Sequence, residues 1–200
     1  MNFLSKAALS TGALGAAGTG SYFLIKKDNS STVKLKDRFS DKERVVLDLT
    51  GNSHDSIWNA LINEYKTSHE NERIKGVTTA TPELQKIKAY CNSTGDSVDN
   101  SFLDIYTKWC TRATLKHHFA TSGTKRWIED DSGWSASLSS YQKEDNLDEK
   151  LKLSKDTNTK FSKTDITKEA IVGFCNTASQ SLFVDIDNDD YKKSDKWCTK

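Results

Sequence analysis

The sequence predicts an all-α fold, in which an N-terminal membrane segment is followed by two tandem copies of a small helical unit, about three helices each. Three observations carry this expectation. The same landmarks occur twice in the same order, each set closing on Lys-Trp-Cys-Thr, at residues 108–111 and again at 196–199. Aromatic and aliphatic residues recur at i, i+4 and i+7, the spacing of one helix face. An uncharged stretch precedes both copies.

The uncharged stretch covers residues 7–25, between Lys6 and the pair Lys26 and Lys27. Its length is close to a bilayer span, although its many Gly, Ala, Ser and Thr residues make it only weakly apolar. Two readings stand: a signal anchor that is retained, or a signal peptide removed after export, for which Gly15, Ala16 and Ala17 offer small residues. Ala8, Gly12, Ala16 and Gly20 fall four apart, the small-residue spacing that lets membrane helices approach closely. Lys6 competes with Lys26 and Lys27 under the positive-inside rule, so orientation stays open. The expected boundaries are 1–27 for the anchor or signal peptide, 28–113 for the first helical unit and 114–200 for the second. Residues 28–32 read as a linker.

The copies match block by block. Leu35, Lys36 and Phe39 answer Leu115, Lys116 and Phe119; Asp55, Ser56, Trp58, Ile62 and Tyr65 answer Asp131, Ser132, Trp134, Leu138 and Tyr141. Tyr90-Cys91-Asn92 then answers Phe174-Cys175-Asn176. Four of the five tryptophans and all four cysteines fall on matched positions, which makes coincidence a poor explanation. The extra length of the second copy lies chiefly between Tyr141 and Cys175, where a loop absorbs insertions at little cost.

In the first copy, residues 44–49 fit either a strand or a helical turn. Trp58, Ile62 and Tyr65 form one helical stripe, as do Trp134, Leu138 and Tyr141, and Asp55 and Asp131 stand where a carboxylate can cap the first free amides. Thr81-Pro82-Glu83 is a helix start, with Leu84, Ile87 and Cys91 as the buried face. Phe102, Tyr106 and Trp109 belong to a last helix. In the second copy Ile166, Ala170, Ile171, Phe174 and Cys175 give the helix equivalent to the one that carries Cys91, and residues 145–163 read as a solvated loop. The expected core aromatics are Trp58, Tyr65, Trp109, Trp134, Tyr141 and Trp197.

Four cysteines allow three pairings. A unit copied whole should have been stable alone, which favours Cys91 with Cys110 and Cys175 with Cys198. Closing a loop of about twenty residues stabilises a unit by roughly 3 kcal/mol in the chain-entropy estimate. Four buried free thiols are the alternative. A zinc site finds no support, because no Cys-x-x-Cys occurs.

The 29 basic and 28 acidic residues are interspersed, which argues against a nucleic-acid footprint. Asp131-Ser132-Gly133 imitates an aspartic-protease motif, but its counterpart Asp55-Ser56-Ile57 lacks the glycine, so a helix cap is the reading. Asp185, Asp187 and Asp189 alternate like a calcium loop, which then fails at Asp190 and Lys196, where glycine and glutamate are needed. His117 and His118 are adjacent and point to different helix faces, so they read as surface histidines. No Gly-rich phosphate loop occurs. No catalytic residue, cofactor or metal is expected, and the chain reads as something other than an enzyme, a binding or display module. The alternatives are an exported hydrolase whose site the sequence conceals, and a purely structural membrane-associated oligomer.

The order Leu-Lys-x-x-Phe, Trp-x-x-x-(Ile/Leu)-x-x-Tyr, aromatic-Cys and Lys-Trp-Cys-Thr, behind a Gly/Ala-rich N-terminal segment, resembles the large paralogous families of membrane-associated or exported proteins of haemotropic mycoplasmas. Residues 32–39 and both Trp-Cys-Thr ends carry the likeness. It implies attachment to the cell membrane through the N-terminal segment, with an extracellular body, or secretion after cleavage. The partner class it implies is a host or cell-surface protein, and no site residues come with it. His117 and His118, which stand where the first copy has Asp37 and Arg38, depart from the pattern.

Overall fold

Aromatic spacing becomes helix in the computed structural model, which describes residues 32–123 and 125–200. The stretch 7–25 and most of the linker lie outside them. Seven α-helices occur among the described residues: α1 (Asp55–Lys66), α2 (Leu84–Gly95), α3 (Leu103–Cys110), α4 (Leu115–Ser122), α5 (Asp131–Lys143), α6 (Lys168–Ala178) and α7 (Asp189–Trp197). Three short 3-10 turns, Leu35–Arg38, Glu70–Glu72 and Asn100–Phe102, join them. No helix among the described residues is long and apolar enough to cross a membrane.

The chain is mostly helical but not all-α. Residues 44–46 form β1 (Arg44–Val46), which pairs antiparallel with β2 (Thr111–Ala113), Arg44 opposite Ala113 and Val46 opposite Thr111. The β-branched pair Val45 and Val46 suits a strand, and the Leu47 amide donates to the Cys110 carbonyl at 2.9 Å, fixing the register at the end of α3. The second half holds a shorter counterpart. Trp127 bridges Thr199, Arg126 and Lys200 exchange both backbone bonds, and the Ile128 amide donates to the Cys198 carbonyl at 2.8 Å.

Two hydrophobic clusters lie under these elements. The first centres on Leu35, Trp58, Leu61, Tyr65, Ile87 and Trp109, the second on Leu115, Phe119, Tyr141, Ile171 and Trp197. Burial of this kind is what makes short helices stable at all, since isolated ones are marginal in water.

Local signals shift by a residue or two. The α2 helix begins at Leu84, beyond Pro82, because Glu83 is still extended (φ −91°, ψ 113°). Asp130, not Asp131, caps α5, its carboxylate accepting from the Gly133 amide at 2.7 Å. Asp55 is already inside α1, whose approach is held instead by the Asp48 carboxylate, which accepts from the Thr50 and Gly51 amides at 3.0 Å each. Phe102 stays in the 3-10 turn and is exposed. Residues 145–163 are irregular yet anchored, for Leu153 is buried and Leu147 and Phe161 pack on the second cluster.

Candidate functional site

Each half is built around one indole, one phenol and one disulfide. Cys91 is bonded to Cys110 and Cys175 to Cys198, with Cα separations of 5.4 and 5.5 Å. The Trp109 ring stands 4.7 Å from Tyr65, and the Trp197 ring 4.7 Å from Tyr141. Trp109 Nε1 donates to the Glu72 carbonyl and Trp197 Nε1 to the Leu151 carbonyl, so both buried indoles keep a partner. Tyr65 and Tyr141 act alike. The first accepts from the Ile74 amide at 2.9 Å, the second from the Leu153 amide at 3.1 Å, each hydroxyl pinning the loop after its helix. The cation above each indole is also matched: Lys108 Nζ lies 5.2 Å from the Trp109 ring and bonds Glu72 at 2.6 Å, while Lys196 lies 5.2 Å from Trp197 and bonds Glu144 at 2.6 Å.

The expected core aromatics divide. Trp58, Tyr65, Trp109, Tyr141 and Trp197 are buried, and Trp58 Nε1 donates to the Asp48 carbonyl at 2.9 Å. Trp134 is a correction: it is only half-buried and packs on the rim of the second cluster. Trp127, unmatched by sequence, is buried beside Phe119.

Between the halves lies a cationic bridge that sequence reading missed. Arg112 on β2 is buried, and its guanidinium binds both Glu64 carboxylate oxygens, at 3.1 and 2.6 Å. The same group donates to the Phe183 carbonyl at 2.6 Å and to the Val184 carbonyl, and stands 4.7 Å from the Phe183 ring. It therefore ties α1 to the strand-like segment after α6. Backbone bonds continue the seam: the Phe183 amide donates to the Ala113 carbonyl at 2.9 Å and the Leu115 amide to the Ser181 carbonyl at 2.8 Å.

His118 completes this seam, contrary to the surface reading. Its ring stacks on Phe183 at 3.7 Å and meets the edge of Tyr191 at 5.8 Å. Burial, with the nearby Arg112, Arg44 and His117, holds its pKa down to about 4, so the imidazole is neutral at pH 7.

A groove of about 510 Å³ opens beside α7, lined among others by Lys125, Leu151, Ile186, Tyr191 and Lys192. Its lysines are already paired, Lys125 with Asp195 at 2.8 Å, Lys192 with Asp187 at 2.9 Å and Lys196 with Glu144. The groove thus offers apolar contact ringed by neutralised charge. The acidic alternation nearby is a turn: Asp185 accepts from the Asp187 and Asn188 amides, and Asn188 caps α7. Asp131 is exposed and paired with Lys168. Among the described residues no group of three or more His, Cys, Asp or Glu could hold a metal ion.

These features define a mostly helical protein with two disulfides, and disulfides form and persist in oxidising compartments, which points to an extracytoplasmic location. Comparison with protein-family models, with curated proteins and with solved structures found no match.

Proposed function

We propose that this chain is an exported, membrane-linked protein composed of two copies of one helical unit, and that it acts by binding or antigenic display through its exterior instead of by catalysis. The observation that carries the reading is the parallel construction of the two halves: the same disulfide, the same indole–phenol pair and the same lysine over the indole. A shared frame of disulfide, indole and phenol suits a scaffold that acts through its exterior. The uncharged residues 7–25 supply the membrane link, and the resemblance to proteins of haemotropic mycoplasmas supports a host or cell-surface protein as partner.

Intact cells treated with a protease that does not enter them test the proposal. The body should be digested while a cytoplasmic marker survives. Protection of the body together with that marker would refute display.

A further inference from the structure

Four large apolar side chains stand exposed among the described residues, Val33 (41%), Val98 (40%), Phe102 (39%) and Ile186 (63%), and the first three belong to two segments that one arginine ties together. Arg38 Nε donates to the Val33 carbonyl at 2.9 Å and Nη2 to the Val98 carbonyl at 2.8 Å, while Nη1 bonds the Asn100 side chain. The Leu35 amide adds a bond to the Ser97 carbonyl at 2.8 Å, and Lys34 and Lys36 both reach Asp96, at 2.8 and 2.9 Å. Residues 33–38 are thereby clamped to residues 96–100, and Phe102 ends the turn that follows.

We infer that this end of the molecule is a membrane-facing pole, with Val33, Val98 and Phe102 resting in the interfacial layer of a lipid surface. The inference rests on the membrane-linked reading proposed above, and adds which face of the body meets the lipid. Chain length argues for it. Val33 follows Ile25, the end of the uncharged stretch, by eight residues, so the two are separated by at most about 29 Å even fully extended. A membrane-embedded stretch therefore holds this pole within that reach of the bilayer. Charge argues for an apolar contact: Lys34, Lys36 and Arg38 are offset by Asp37, Asp96 and Asp99, so these two segments carry no net charge of their own to attract anionic headgroups. Apolar side chains that would be a liability in water are accommodated where headgroups meet acyl chains.

The test uses the full chain in phosphatidylcholine vesicles. Since no cysteine among the described residues is free and the rest of the sequence adds none, Val98→Cys, Phe102→Cys or Ile186→Cys introduces one labelling site for a polarity-sensitive fluorophore. Brominated lipid should quench the probes at 98 and 102 roughly twofold or more and shift them to the blue, leave the probe at 186 unaffected, and do so equally at low and high salt. Probes at 98 and 102 that stay unquenched while the protein resists alkaline extraction would overturn the pole and leave the anchor intact. Protein washed off the vesicles would overturn the anchor as well. A blue shift that brominated lipid does not quench, and that grows with protein concentration in detergent, would assign the patch to a second copy and overturn the lipid contact.

Discussion

The Tyr106 hydroxyl lies 3.0 Å from the position a Cβ on Gly95 would occupy, so a side chain on the last residue of α2 is crowded unless that hydroxyl gives way by a few tenths of an ångström. At the offsets of the Cys91/Cys175 and Cys110/Cys198 blocks, Ser179 stands opposite Gly95 and Ser194 opposite Tyr106. Gly95→Ala should therefore destabilise the protein by about 1–2 kcal/mol through overpacking against a ring that is almost fully buried. In a Tyr106→Phe background the clash is gone and alanine's better helix propensity takes over, so the same substitution should be neutral or stabilising. Denaturant unfolding of the four proteins gives the coupling directly, and an additive cycle would contradict the steric account.

The disulfides contribute separately. Their sequence separations of 19 and 23 residues correspond to about 3 kcal/mol each in the chain-entropy estimate. Replacing Cys91 and Cys110 by alanine together should lower stability by about that amount, and replacing Cys175 and Cys198 should do the same to a similar degree. Thermal melting of each double variant under non-reducing conditions is the measurement. A loss confined to one pair would mean that the halves are not energetically alike.

What could be read from the sequence is what local periodicity writes. The stripes of α1 and α5 follow from i, i+4, i+7 spacing, that of α6 from the pairs Ala170 and Phe174, Ile171 and Cys175, with Ile166 falling before the helix, and the disulfide partners from the order of the matched blocks. The Arg112 bridge could not be read, because Glu64, Phe183 and Val184 are remote in sequence and a lone arginine gives no period. Residues 145–163 look solvated because Leu147, Leu153 and Phe161 are sparse, although Tyr141 and Trp197 both bond that loop. Nor could the block match see that Tyr191 takes over from Tyr106. Phe39 stacks on Tyr106, whereas its counterpart Phe119 stacks on Tyr191, one helical turn before the position that aligns with Tyr106.

The bridge itself should be asymmetric in its energetics. Arg112→Ala removes the donors to the Phe183 and Val184 carbonyls as well as the partner of Glu64, and should cost about 2–4 kcal/mol. Glu64→Gln should cost less, about 1 kcal/mol, because the Glu64 side chain is 41% exposed and its replacement leaves the two carbonyl bonds in place. Amide exchange should show where the loss falls: residues 182–184 lose protection in the arginine variant and keep it in the glutamine variant. Equal effects of the two substitutions would reduce the bridge to a simple ion pair.

His118 gives the seam a pH dependence whose sign is fixed by its depressed basicity. Unfolded, the imidazole takes up a proton near pH 6.5; folded against Phe183 and beside Arg112 and Arg44, it does so only at about 4. Between those values the unfolded chain binds the extra proton, so stability is fully present above pH 6.5, declines as pH falls toward 4, and loses nothing further from this group below that. The decline should amount to about 1–2 kcal/mol once partial solvent contact is allowed for. His117, also held below its usual value by burial, adds a smaller slope of the same sign. His118→Phe keeps an aromatic ring against Phe183 and removes the proton-binding site, so the curve of unfolding free energy against pH should flatten between 6.5 and 4. Carboxylates such as Asp96, held to about 2 by Lys34 and Lys36, lose their contribution only as the pH falls below about 4, which leaves the histidine window separately readable. An unchanged slope in that variant would show that the imidazole does not govern the acid sensitivity of the seam.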